Sequence, residues 1–289
     1  MNTRMQGKIC LLTGATSGIG KATALGLANM GATVVLVSRN KDKGEALKSE
    51  LVQQTGNTSL DVLSADLSSQ ESIRQLVADF KQRYQQLHVL INNAGLFSAG
   101  RKETVDGIEM TFAVNYLAPF LLTNLLLDVL KASAPARIVT VASDAQNLGL
   151  LNLDDLQMKK RYRIFGAYAQ SKLAEILFTY ELARRLEGTG VTVNCLHPGF
   201  VRTNIGQNNI NPRWSFLTRI IFAPGITPEA GAKTSLYLAT SPDVAGVTGK
   251  YFVKSIPMRS VPISYDEAAQ KRLWDISASL VKLPASLEV

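Results

Sequence analysis

A chain of 289 residues with 46% hydrophobic and 19% charged side chains can bury a sizeable core, which excludes disorder. The net charge of +8, from 31 basic and 23 acidic residues, comes with no long Lys/Arg run and no basic–aromatic interleaving, so nucleic acid is not an expected partner. Two cysteines, Cys10 and Cys195, lie in apolar runs without a metal-ligand spacing, and are expected to be buried free thiols in a reducing compartment with no metal site.

Met1–Lys8 runs straight into the first strand with no apolar signal region, so a cytoplasmic location is expected. Ile9–Thr13 reads as a strand and Gly18–Met30 as a small-residue helix. Between them Thr13-Gly14-Ala15-Thr16-Ser17-Gly18-Ile19-Gly20 forms a glycine turn from strand to helix. Such a turn lets a pyrophosphate approach the backbone and meet the positive end of the helix. Thr33–Val37 is a β-branched run suited to a strand buried on both faces, and Lys41–Gln54 is a charged amphipathic helix. At the junction stand Ser38, Arg39 and Asn40. An acid here would bind both ribose hydroxyls of NAD, whereas a guanidinium suits the 2′-phosphate of NADP.

Ser59–Ala65 is the third strand and Ser69–Tyr84 the third helix. Val89–Asn92 is the fourth strand, followed by Asn93-Ala94-Gly95, a tight turn on the same sheet edge. A single long apolar helix is expected over Val105–Lys131; Leu117–Leu130 is interrupted by Thr123, Asn124 and Asp128, so it reads as buried rather than membrane-spanning. Arg137–Ala142 is the fifth strand, with Ser143 just past it. Phe165–Leu186 is a helix that carries Tyr168 and Lys172 four residues apart, hence on one face. A nearby ammonium favours the phenolate and brings the phenol within reach of proton exchange at neutral pH. Val191–Leu196, Thr227–Ala239 and Lys250–Val253 continue as strand, helix and strand, and Ser264–Ser279 is an amphipathic tail helix within a C-terminal segment 264–283. The segment Gly199–Gly225 is long and irregular yet carries Ile210, Trp214, Phe216, Leu217, Ile220, Ile221 and Phe222; it reads either as a substrate lid or as a short helix packed on the core. The alternation predicts one α/β domain over residues 1–289: a doubly wound, Rossmann-like parallel sheet of about seven strands with helices on both faces.

With these pieces assembled, the chain resembles the short-chain dehydrogenase/reductase family from about Lys8 to Val253. The resemblance rests on the TGATSGIG turn, Asp66-Leu67, Asn92-Asn93-Ala94-Gly95, Asn115, Ser143, Tyr168-Ala169-Gln170-Ser171-Lys172 and Pro198-Gly199. It implies Tyr168 as general acid/base, Ser143 as holder of the substrate oxygen, Lys172 on the nicotinamide ribose, and Asn115 as anchor of a water linking Lys172 to solvent. It further implies cofactor contacts from Gly14, Thr16, Ser17, Gly18, Ile19 and Gly20 on the first turn. Further along come Ser38, Arg39 and Asn40, then Asp66 and Leu67, then Asn92, Ala94 and Gly95. Last are Pro198, Gly199, Val201 and Thr203, beside the carboxamide. Arg39, with no acid at Ser38, implies NADP(H). Within the family the chain looks most like the retinol-dehydrogenase-type branch, on Tyr168–Glu175, Leu182-Ala183-Arg184-Arg185-Leu186, His197-Pro198-Gly199 and Tyr265-Asp266-Glu267-Ala268.

The function expected is therefore NADP(H)-dependent reduction of an apolar aldehyde or ketone, or oxidation of the alcohol. A homodimer is compatible with it. The alternative is a regulator that senses NADP(H) and turns nothing over. Such proteins usually lose part of the proton relay, and here all four positions are filled. Consumption of NADPH against a panel of aldehydes separates the two.

Overall fold

The computed structural model describes residues 4–148, 150–200 and 225–283. In its first half the elements are β1 (Ile9–Thr13), α1 (Gly18–Asn29), β2 (Thr33–Ser38), α2 (Lys41–Thr55), β3 (Leu60–Ser64), α3 (Gln70–Arg83) and β4 (Val89–Asn92). The strands order as β3-β2-β1-β4 and continue through β5 (Ala136–Val141), β6 (Val191–His197), β7 (Lys250–Val253) and β8 (Ile256–Met258). β1 pairs in parallel with β2 on one side and β4 on the other, so strand order reverses beside it. A crevice opens at such a point, beyond the carboxyl ends of the strands.

Alternate strand residues face opposite layers, as the period of two requires. Leu11, Val35, Leu63, Leu90, Ile138 and Val193 join a core with α3, α5 (Ala118–Leu125), α7 (Ile164–Arg185) and α9 (Glu267–Leu280), including Phe80, Phe120, Leu177 and Trp274. Cys10, Leu12, Val34, Leu36, Ile91 and Val139 join a second core with α1, α2 and α8 (Pro228–Thr240), including Leu27, Leu51 and Leu238. Both cysteines are buried and unpaired.

Three features differ from the sequence reading. Among the described residues the sheet has eight strands rather than about seven. β8 turns back antiparallel on β7, with Lys254 at φ 50° and Ser255 at φ 63° between them. Two left-handed residues match the right-handed twist of a hairpin; Asn-Gly is the usual carrier, so Lys-Ser gives no signal in the sequence. The expected long helix does not start at Val105, which is 87% exposed. It starts as α4 (Met110–Phe112), where the Glu109 carboxylate accepts from the amides of Thr111 and Phe112 at 2.9 and 2.7 Å. It then widens into a π turn at Ala113–Leu117 and continues as α5 and α6 (Leu127–Ala132). The tail helix, expected over Ser264–Ser279, runs from Glu267 to Leu280, capped by Asp266. Among the described residues no helix is long and apolar enough to cross a membrane.

Candidate active site

The crevice is built first by the loop after β1. Gly14 and Gly18 adopt φ 66° and 52°, in the left-handed region that a Cβ disfavours. Contact also fixes the glycines. A Cβ on Gly14 would lie 2.7 Å from Ala94 Cα, and one on Gly20 would lie 2.6 Å from Asn93 Nδ2. Asn93 explains this closeness. Its Nδ2 donates to the carbonyls of Thr13 and Gly14 at 2.9 and 3.1 Å, while its amide and that of Ala94 donate to Thr13 Oγ1 at 3.0 and 3.1 Å. Asn93 therefore clamps the β1–α1 turn to the β4 loop. The sequence reading counted Asn93 only as part of a turn.

α1 is begun by Ser17, which makes no side-chain cap, and its first turn carries no acid. By contrast Asn40, Ser69, Thr227 and Asp266 all cap their helices. Among the described residues the first amides of α1 therefore have no side-chain acceptor, and a pyrophosphate would supply one. Thr16 is half-buried, Ser17 exposed and Ile19 buried at this point. Arg39 is exposed just beyond β2. Ser38 is buried and donates to the Asn40 carbonyl at 2.7 Å, and the Asn40 side chain accepts from the Lys43 amide. Of this trio, Arg39 and the Nδ2 of Asn40 are the exposed groups left for a ligand. Asp66 accepts from the Ser68 amide and hydroxyl at 2.9 and 2.7 Å, beside half-buried Leu67.

Asn92, expected among the cofactor contacts, ends β4 with its side chain inside the protein. It is 2% exposed and its Nδ2 donates to Thr123 Oγ1 at 3.1 Å. Its Oδ1 has no hydrogen-bond partner among the described residues. Asn115 lies in the π turn, a geometry found mostly at functional sites. Its Oδ1 accepts from the Leu96 amide at 2.8 Å, and its Nδ2 donates to the Leu96 carbonyl and to Ser171 Oγ. Ser171 Oγ donates in turn to the Tyr168 carbonyl at 2.7 Å. The Asn115 amide has both protons committed; it braces the loop after β4 against the turn of α7 that carries Tyr168. Anchoring a water would fall to its main chain.

α7 is buried on almost every side from Ala167 to Ala183, so each charge inside it needs a partner. Lys172 Nζ donates to the Val141 carbonyl at 2.9 Å and to Glu175 Oε1 at 3.0 Å. It lies 5.8 Å from the centroid of the Tyr168 ring. A Cβ at Gly95 would lie 3.6 Å from Asn115 Oδ1 and 3.7 Å from Lys172 Nζ. The structure thus gathers Gly95, Asn115, Tyr168 and Lys172, with Ser143 two residues beyond the carbonyl that holds Lys172. Ser143 is half-buried, its Oγ accepting from the Ala145 amide at 3.2 Å. His197, at the end of β6, accepts from the Asp144 amide through Nδ1 at 3.1 Å. Burial holds its pKa below the usual imidazole value, against the pull of Asp144, so the neutral acceptor form prevails.

Beyond His197, half-buried Pro198 and Gly199 (φ 91°) are described, whereas Val201 and Thr203, and residues 201–224 of the expected lid, lie outside the described residues. Among the described residues there is no cluster of potential metal ligands. Three residues important to this geometry are missing from the sequence reading as site members, Asn93, Ser171 and Glu175. Ser171 lies inside the recognised segment, and Glu175 follows Lys172 by one turn.

The sequence matches the short chain dehydrogenase family over residues 8–213. It is 45% identical to human retinol dehydrogenase 14, over 96% of this chain and 88% of that protein, and 44% identical to human retinol dehydrogenase 13, over 96% and 86%. An uncharacterised protein from Mycobacterium paratuberculosis has a similar structure, with a TM-score of 0.77 and 32% identity over 96% of this chain and 94% of that one. So does a short chain dehydrogenase from Shigella flexneri 2a complexed with NADP, with a TM-score of 0.72 and 26% identity over 89% and 100%. The crevice, the α7 stripe and these likenesses agree: the chain belongs to the short-chain dehydrogenase/reductase family, in its retinol-dehydrogenase-type branch, a family of oxidoreductases that work with a nicotinamide cofactor.

Proposed function

We propose that this protein is an NADP(H)-dependent oxidoreductase that interconverts an apolar aldehyde or ketone with its alcohol, with Tyr168 as the general acid/base. The observation that carries the reading is the juxtaposition of Tyr168 with a buried, firmly held ammonium on the same helical face. A bound nicotinamide would supply or accept the hydride. In reduction the Tyr168 hydroxyl gives its proton to the substrate oxygen, which Ser143 orients by a hydrogen bond. In oxidation the same group takes the proton back. Lys172 commits protons to Val141 and Glu175, and a remaining one would serve to bind the cofactor ribose. A cytoplasmic location belongs to the same proposal; the two free thiols suit a reducing compartment.

Arg39 supports NADP(H) over NAD(H), because an exposed guanidinium with no acid at Ser38 complements a 2′-phosphate. Arg39→Asp is expected to lower kcat/KM with NADPH, relative to NADH, by tenfold or more, since one charge-assisted contact is worth about 1.5–3 kcal/mol. A wild-type enzyme that prefers NADH overturns the assignment.

The apolar substrate is supported by an aromatic run leading away from Tyr168. Phe97 packs 5.5 Å from the Tyr168 ring and 5.2 Å from Phe165, which is itself 70% exposed. A hydrophobic chain laid along these rings would gain up to ~0.8 kcal/mol per buried methylene. Activity on straight-chain aldehydes is therefore expected to climb with chain length, and Phe97→Ala to flatten the climb more than it lowers the rate on the shortest aldehyde. A flat wild-type profile refutes the apolar claim.

A further inference from the structure

Tyr168, Lys172 and Glu175 are spaced four and three residues apart and form one stripe along α7. Glu175 is 1% exposed and Lys172 4% exposed, so the pair is cut off from solvent. The ammonium lies 3.0 Å from each carboxylate oxygen; it donates to Oε1, and Oε2 has no other donor. A structural ion pair of this burial is costly to keep, and an apolar residue would pack at least as well. Its position at the far side of Lys172 from Tyr168 suggests a use.

Resting on the assignment of Tyr168 and Lys172 above, we propose that Glu175 is a positioning residue that acts through Lys172. It holds the ammonium in place from the next turn of α7. As its counter-ion, it also limits how far that ammonium lowers the proton affinity of the Tyr168 phenol. With Glu175 ionised, Tyr168 faces a neutral pair; with Glu175 protonated or neutralised, it faces an uncompensated cation. Burial pushes the Glu175 carboxyl up to about 7 against the opposing pull of Lys172. Lys172 moves upward, because Glu175, with help from Tyr168, overcomes its burial.

The other groups packed against the pair do not supply this charge. β5 contributes the Val141 carbonyl, and the loop after β4 brings Gly95 close. On α7 itself, Thr179 donates its hydroxyl to the Glu175 carbonyl. From β6 the Cys195 thiol faces Glu175, but burial, reinforced by the Glu175 charge, drives its pKa far above the usual thiol range, so it stays neutral.

The test is an ultraviolet phenolate titration of the cofactor-free protein, in wild type, Glu175→Gln, Glu175→Asp and Tyr168→Phe. The signal absent from Tyr168→Phe belongs to Tyr168. Glu175→Gln keeps the shape and an acceptor for Lys172 and removes only the charge. Its Tyr168 signal is expected about one pH unit below that of wild type, in line with the effect of one nearby charge. Glu175→Asp, which keeps the charge but draws it back from Lys172, should fall between the two. It also serves as the variant to read if the amide does not fold. The acidic limb of kcat against pH for alcohol oxidation should move in parallel, with KM little changed. An unmoved Tyr168 signal in Glu175→Gln overturns the proposal, as does an upward shift, which would mean that Lys172 loses its proton along with its counter-ion. If the titration shifts while no carbonyl or alcohol is turned over, the coupling stands and the proposed reaction fails.

Discussion

Tyr168→Phe is expected to lower kcat by at least a hundredfold while leaving the Kd for NADPH within a few-fold of wild type. The phenylalanine keeps the ring that packs on Phe97 at 5.5 Å and loses only the hydroxyl. Proton transfer by a positioned group typically contributes ~10²–10⁴ in rate, or about 2.7–5.4 kcal/mol. Retention of more than about a tenth of wild-type kcat/KM would mean that another group moves the proton. Ligand affinity is the control. A large loss of NADPH binding in this variant would show that the substitution had disturbed the crevice rather than removed a donor.

Lys172→Ala should damage three quantities together. The rate should fall by a hundredfold or more, because Tyr168 loses its cation. The Kd for NADPH should rise by about tenfold or more, since a charge-assisted hydrogen bond to the ribose is worth about 1.5–3 kcal/mol. An unchanged Kd would count against the ribose contact. Stability should also fall and acquire a new pH dependence. Glu175 would remain buried among apolar groups without its cation, so its folded-state pKa, already pushed up to about 7 from 4.5, would rise further. A carboxyl whose folded pKa exceeds its unfolded value binds more protons folded than unfolded. It therefore costs stability as pH rises from the unfolded value through the folded one. Melting temperature in this variant is expected to drop more steeply than in wild type as pH is raised from 4.5 past 7.

The strand–helix alternation was legible because each buried strand is a short β-branched run, and Thr33–Ser38 is the clearest case. The glycine turn and the Tyr168–Lys172 pair were legible because both obey fixed backbone spacings. The π turn at Ala113–Leu117 was not, since one residue inserted in a run that is apolar on all sides leaves the hydrophobic pattern almost unchanged. β8 was hidden by a turn without Asn or Gly and by Pro257, which argues against a strand unless it lies at an edge. Asn92 and Asn93 are adjacent and chemically identical, yet one points into the core at Thr123 and the other clamps Gly14. Their roles follow from the alternation of side chains at the end of β4, and only coordinates give its phase. Glu175 was passed over because an acid in a hydrophobic helix reads as part of a signature until its neighbours are known.

The Asn93 clamp has a consequence for association. The turn that would receive the pyrophosphate and the loop after β4 are joined through one side chain and one threonine hydroxyl. The ordering of that crevice is therefore met when the protein folds, not when the dinucleotide arrives. Entry of the cofactor leaves little main-chain freedom to be lost at this point. If Arg39 reads the dinucleotide as proposed, the remaining entropic cost would fall on exposed surface side chains such as Arg39, and discrimination between dinucleotides would rest on the softest part of this groove.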